Sequence, residues 1–133
     1  MTAGTASTGF AALDGAHRHV VCGADELRPG TTRAIRVGRR AIVVEHIPGH
    51  GYVALADRCP HQGAPLSSGL FEPMWVGEEV GDHSRDAGRW VLVCPFHNFE
   101  TDVRTGCPVA PLGRRRNATY PVQVEEGEVV VYL

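Results

Sequence analysis

Two short fragments constrain this 133-residue chain more than anything else in it: Cys59-Pro60-His61 and Cys94-Pro95-Phe96-His97. Each sets one thiol and one imidazole one or two residues apart, so a tight turn can aim both side chains at one point. Each fragment follows a β-prone run, residues 52–56 (YVALA) before the first and 90–93 (WVLV) before the second, so a strand can anchor each turn. Together the loops offer two soft sulfurs and two nitrogens. That set suits tetrahedral zinc, and it suits a [2Fe–2S] cluster with two Cys on one iron and two His on the other. Zinc sites mostly use paired-Cys and paired-His knuckles. Loops that each mix one Cys with one His, the first across a single residue, fit that pattern poorly.

The rest of the chain reads as all-β. Residues 32–37 (TRAIRV) and 41–46 (AIVVEH) are β-prone runs joined at Gly38-Arg39-Arg40, the pattern of a hairpin with a short turn. Near the C-terminus, Val122 and Val124 alternate with polar residues. Glu126-Gly127 then turns the chain, and residues 129–133 return it. The continuous run Val129-Val130-Val131 predicts a strand covered on both faces. A turn or helical stub is expected at residues 24–27, stopped by Pro29-Gly30. No long amphipathic helix is present. The two loop-rich stretches, about 57–75 and 94–113, are dense in Gly, Pro, Cys and His. Residues 76–89 read as a polar surface excursion.

Length and charge narrow the function classes. A chain of 133 residues suits one domain. A net charge of −2 gives no global electrostatic case for nucleic acid or an anionic membrane. The dense basic run, Arg114-Arg115-Arg116, reads as a solvated loop or as a docking patch for an acidic partner. No apolar run approaches the ~20 residues that span a bilayer. Residues 1–9 lack a basic n-region and an apolar h-region, so residues 1–17 are expected to be a loose tail and the protein cytoplasmic. Four cysteines in that setting argue for metal binding or thiols before disulfides. No nucleophile–base pair, phosphate loop, dinucleotide fingerprint or two-His-one-carboxylate triad is evident. Substrate chemistry is therefore expected on other proteins.

The sequence resembles Rieske-type ferredoxins and the Rieske domains of ring-hydroxylating oxygenases. Residues 52–69 (YVALADRCPHQGAPLSSG) look like that family's strand and first cluster loop. Residues 93–106 (VCPFHNFETDVRTG) look like its second loop and following hairpin. Residues 108–112 (PVAPL) resemble a proline-containing segment near the cluster, and residues 120–133 match its closing strands. The resemblance implies a small antiparallel β-sandwich over residues 18–133, with a cluster-binding subdomain at about 57–113 inserted into it. It implies one [2Fe–2S] cluster, with Cys59 and Cys94 on the buried iron and His61 and His97 on the outer one. It also implies a one-electron carrier between a flavin-containing reductase and an oxygenase or other oxidoreductase. A second reading is a non-catalytic small subunit of a larger reductase, such as NAD(P)H-dependent nitrite reductase, and a third is a zinc-stabilised interaction module.

Two departures from the family carry expectations. Here 32 residues (62–93) separate His61 from Cys94, more than in most of these ferredoxins. The excess falls near 71–89, read as a longer hairpin or as a partner-specific flap in which Met74 and Trp75 find contacts. High-potential relatives also carry an inter-loop disulfide and Ser and Tyr donors to the cluster. Ala64 and Phe96 stand where those cysteines would be, Phe99 lies near the Ser position, and residues 98–104 hold no Tyr. That predicts a low potential. Cys22 and Cys107 are expected to be partly buried thiols. His17, His19, His46, His50 and His83 are expected to be surface histidines, and Asp102 to accept a backbone hydrogen bond in a turn. Gln62 and Asn98 are placed beside the ligand histidines.

Overall fold

The computed structural model describes residues 17–59, 64–76, 84–95, 99–109 and 116–133. Ten strands run in the order β1 (Arg18–Gly23), β2 (Thr32–Val37), β3 (Arg40–Ile47), β4 (Gly51–Ala56), β5 (Leu70–Val76), β6 (Ser84–Val93), β7 (Glu100–Asp102), β8 (Thr119–Tyr120), β9 (Val122–Glu125) and β10 (Glu128–Tyr132). Single 3₁₀ turns sit at Ala24–Glu26 and Leu66–Ser68. Every strand pairing is antiparallel. The strands form three sheets, ordered β1-β10-β9, β2-β3-β4-β8 and β5-β6-β7. No helix among the described residues is long and apolar enough to cross a membrane.

Strand β3 of the central sheet is buried on both faces, which is why Ile42, Val43 and Val44 are apolar in succession. Successive side chains of a strand point to opposite faces. Ile42 and Val44 pack with Ala54, Val129 and Val131 in the core shared with the β1-β10-β9 sheet. Val43 and Ile47 pack with Leu55, Cys59, Leu66, Leu92, Cys94 and Val103 on the other side. Fully burying a Val, Leu or Ile side chain contributes roughly 1.5–3 kcal/mol. Two cores on one sheet therefore bind the sandwich and the inserted subdomain into one unit. Val129, Val130 and Val131 are all 0 % exposed, as their run predicts.

The hairpins follow their turn chemistry. Gly38 (φ 62°) turns β2 into β3, and Arg40 belongs to the strand rather than to the turn read from the sequence. Glu126 and Gly127, at φ 51° and 81°, form the turn between β9 and β10. The longer hairpin read near 71–89 is present as β5 against β6, with an irregular register between Pro73 and Met74. The part that differs is the polar excursion read over 76–89, because β6 already begins at Ser84 and runs unbroken into the expected strand at 90–93. Where the hairpin meets the core, the rings of Phe71 and Trp90 pack at 4.6 Å. Residues 1–16 of the expected 1–17 tail, the tip at 77–83 with His83, and the Trp75 side chain lie outside the described residues, so the contact expected of Trp75 does too. His17 is not part of a loose tail, because its backbone exchanges two hydrogen bonds with Leu133.

Candidate cluster site

Both cysteines of the paired fragments sit at the mouth of the second core. Cys59 lies three residues past the end of β4, and Cys94 directly follows β6. Both are 0 % exposed and belong to one apolar group with Leu55, Leu66, Leu92 and Val103. None of the four cysteines forms a disulfide. His61 and His97, the histidines expected as ligands, lie outside the described residues, as do Gln62, Phe96 and Asn98. Accordingly, no group of three or more metal-binding side chains converges among the described residues.

The two loops close in the same way. The backbone N–H of Cys59 donates to the carbonyl of Ala64 at 2.7 Å, and that of Cys94 donates to the carbonyl of Phe99 at 2.8 Å. Each Cys is followed by Pro, and each bond spans five residues. The first loop has a second fastening. The Asp57 carboxylate accepts from the Ser67 N–H at 2.7 Å and from the Ser67 hydroxyl at 2.6 Å. The second is braced by the segment after β7. There Asp102 accepts from the N–H groups of Arg104 (2.9 Å) and Thr105 (3.3 Å), the turn role expected of it. Pro108 bridges to Thr101, and the Val109 N–H donates to the Glu100 carbonyl. Two loops fastened at their ends, each beginning with a buried cysteine in a common core, fit a group that takes two thiolates from separate loops.

Asn117 joins these parts, and sequence reasoning missed it. Its side-chain NH₂ donates to the carbonyls of Ala56 (2.8 Å) and Arg58 (2.9 Å), and its backbone N–H donates to the Gly106 carbonyl (2.8 Å). One 6 %-exposed amide thus ties the approach to Cys59 to the turn beyond the second loop. A single Asn after an arginine run carries no sequence signal of that role. Among the remaining candidates, Cys22 is buried, and burial pushes its thiol pKa up. Cys107 is half-buried, with its N–H donated to the Thr105 hydroxyl. His46 stacks on Tyr52 at 4.2 Å and faces the Leu27 carbonyl at 2.8 Å, so it is a packed histidine rather than a surface one.

Glu45 also escaped the sequence reading. It alternates with Val43 and Ile47 on the subdomain-facing side of β3 and is 0 % exposed. Among the described residues, neither carboxyl oxygen has a hydrogen-bond partner. Burial first, and then the charge of Asp57, hold its pKa well above the usual carboxylate range. The native state therefore keeps a proton that the unfolded chain releases above the ordinary Glu value. Stability from this group is complete below that value and is lost as pH rises, by at most ~1.4 kcal/mol per pH unit, until the native group ionises. Glu45→Gln removes the titration. In urea unfolding, the variant is expected to gain on the wild type progressively from pH 5 to pH 8. A gap of the same size at both pH values would mean that Glu45 is ionised in the native state.

A model of the Rieske [2Fe-2S] domain matches residues 17–121. The chain is 35 % identical over 117 residues to ferredoxin CarAc of Metapseudomonas resinovorans, covering 84 % of this chain and 89 % of that protein. The solved ferredoxin of carbazole 1,9a-dioxygenase from Nocardioides aromaticivorans IC177 superposes with a TM-score of 0.66 at 28 % identity, covering 86 % of this chain and 95 % of that one. A putative NADH-dependent nitrite reductase small subunit from Mycobacterium tuberculosis superposes with a TM-score of 0.69, covering 89 % and 96 %; at 20 % identity it shares the fold alone.

Proposed function

The chain belongs to the Rieske [2Fe-2S] domain family, and from that premise we propose that it serves as the ferredoxin of an oxygenase system. Thiolates of Cys59 and Cys94 and imidazoles of His61 and His97 would hold the cluster, within a domain spanning 18–133. The bound cluster supplies uptake and release of a single electron. The upstream donor would be a flavin-dependent reductase and the downstream acceptor an oxygenase, with substrate chemistry on those partners. The observation that carries this reading is the pair of fully buried cysteines, 59 and 94, each opening a loop closed by the same backbone bond onto one shared core. The likeness to CarAc favours a ferredoxin over a reductase subunit.

The protein's part is to fix the loops, exclude water from the sulfurs and limit the hydrogen bonds they receive. Phe99 gives its carbonyl to the Cys94 N–H and packs its ring on the core, and Ala64 is apolar and 3 % exposed. Neither side chain has a donor to offer a sulfur. The midpoint potential is therefore expected near ~−150 mV, the lower end of the Rieske range. Redox titration that places it above zero would refute the assignment of missing donors.

The deciding experiment is EPR of the anaerobically purified, dithionite-reduced protein, with iron and sulfide assayed on the same sample. A rhombic signal with average g below that of all-Cys [2Fe–2S] ferredoxins, at two irons per chain, is expected. A protein that holds zinc, or no metal, would end the electron-carrier reading.

A further inference from the structure

Charge is segregated along the long axis of the central sheet. At the end of β4 that leads into Cys59, hydrogen bonds gather five exposed arginines. Arg39 lies in the β2–β3 turn and Arg40 opens β3, beside the Asp57 N–H that donates to the Ala41 carbonyl at 2.9 Å. Arg58 directly precedes Cys59, and its carbonyl accepts from Asn117. Arg116 adjoins Asn117 in the chain. Arg104 lies two residues before Gly106, whose carbonyl takes the Asn117 N–H. No described residue forms an ion pair with any of the five. The nearby carboxylates are already engaged. Asp57 is 9 % exposed and bound by Ser67, and Asp102 faces Arg89 at 3.4 Å.

The opposite end is acidic. The Ala24 N–H bonds the Gly127 carbonyl, and the Leu27 carbonyl meets His46 at the far end of β3. These contacts bring exposed Asp25 and Glu26 together with exposed Glu126 and Glu128. Arg40 and His46 are six residues apart on one strand, or ~20 Å. That exceeds twice the ~8 Å Debye length of physiological salt, so the two ends act on a partner separately. The net charge of −2 therefore conceals a basic face at the Cys59 end.

We propose that this face, Arg39, Arg40, Arg58, Arg104 and Arg116, docks the carrier onto a redox partner whose surface is rich in Asp and Glu around its electron-exchange site. The inference deepens the electron-carrier reading and rests on it. Guanidinium groups pair with carboxylates through planar two-pronged hydrogen bonds, so an acidic protein surface suits them. Their position beside the first cluster loop turns attraction into orientation, because the molecule arrives with that end first.

The test uses the holoprotein on a carboxylate-terminated alkanethiol monolayer on gold, with retention followed by surface plasmon resonance at low salt. A protein of net negative charge is held there only by a local basic face. Wild type is expected to be retained, and to be released as salt approaches ~1 M, where the Debye length is ~3 Å. Arg40→Gln/Arg104→Gln is expected to bind roughly tenfold more weakly. Arg28→Gln/Arg33→Gln, which removes the same charge at the far end, is expected to bind like wild type. Equal loss in both variants, or no retention of wild type, overturns the proposal. Tighter retention on immobilised double-stranded DNA than on carboxylate, at equal salt, overturns it in favour of a nucleic acid. EPR on the same samples separates the two readings. A missing cluster signal defeats the carrier reading, whereas an intact signal with unsteered retention defeats the docking face alone.

Discussion

His97→Ala is expected to yield a chain with its sandwich intact and its iron and sulfide contents lowered at least roughly tenfold. The imidazole would complete the coordination of an iron whose other protein ligand, His61, is carried by the other loop. Without it that iron meets water, and the thiolates alone do not retain it. The sandwich should survive, because its own core, built from Ile42, Val44, Ala54, Val129 and Val131, takes nothing from the ligand loops. The far-ultraviolet circular dichroism should therefore keep its β character while the visible absorption and the EPR signal disappear. Cys107→Ser is the control. Cys107 is half-buried; its N–H donates to the Thr105 hydroxyl, its carbonyl accepts from the Asp102 N–H, and its thiol lies 4.0 Å from the Thr105 carbonyl, which a Ser hydroxyl can also donate to. The control should retain two irons per chain. If Cys107→Ser loses iron and His97→Ala keeps it, the ligand assignment of Cys59, His61, Cys94 and His97 fails.

What could be read from the residues alone divides by the kind of interaction involved. Apolar runs and turn residues carry their meaning locally. The β2–β3 and β9–β10 hairpins and the doubly buried Val129-Val130-Val131 were therefore legible in the sequence. The paired Cys/His fragments stand out in the sequence because metal ligation demands specific atoms at specific spacings, and the structure places their two cysteines in one core. The frame around the site was not. Glu45 reads as an ordinary polar position on a half-exposed strand, and only the second core behind β3 makes it a buried, protonated carboxyl. Asn117 and Asp57 act through partners about 60 and 10 residues away, respectively, and nothing in their neighbours announces it. The longer hairpin near 71–89 was legible as excess length between the two fragments, but the strand character of residues 84–89 was not, because its order comes from pairing across a bulge. Long-range hydrogen bonds and packing leave little trace in a local window, and the basic face has the same origin. Its arginines come from four separate stretches of chain that meet only once the sheet has formed.

Gly69→Ala should do severe damage to this frame. Gly69 ends the Leu66–Ser68 turn, just past the first loop, with its N–H donated to the Leu66 carbonyl. A Cβ at this position would lie 1.8 Å from the Val93 carbonyl oxygen, 2.9 Å from its carbon and 3.3 Å from Pro95 Cδ. The main obstacle is the Val93 backbone, just before Cys94, with the Pro95 ring just after it. It cannot swing aside as a side-chain tip would, because Val93 is held in the ladder against Leu70 and Glu100. The strands must part by about an ångström, at a cost of roughly 3 kcal/mol or more. For a domain of this size the melting temperature should fall by about 10 °C. The same displacement moves Cys94 away from Cys59, so iron content should drop along with stability. Gly49→Ala separates this from ordinary glycine strain. Gly49 has a positive φ of 75° but nothing within 4 Å of an added methyl, so the substitution should cost only ~1 kcal/mol and leave the iron unchanged. If Gly69→Ala melts within ~2 °C of wild type and binds full iron, the close contact between the exit of the first loop and the entry to the second is not what holds the two cysteines together.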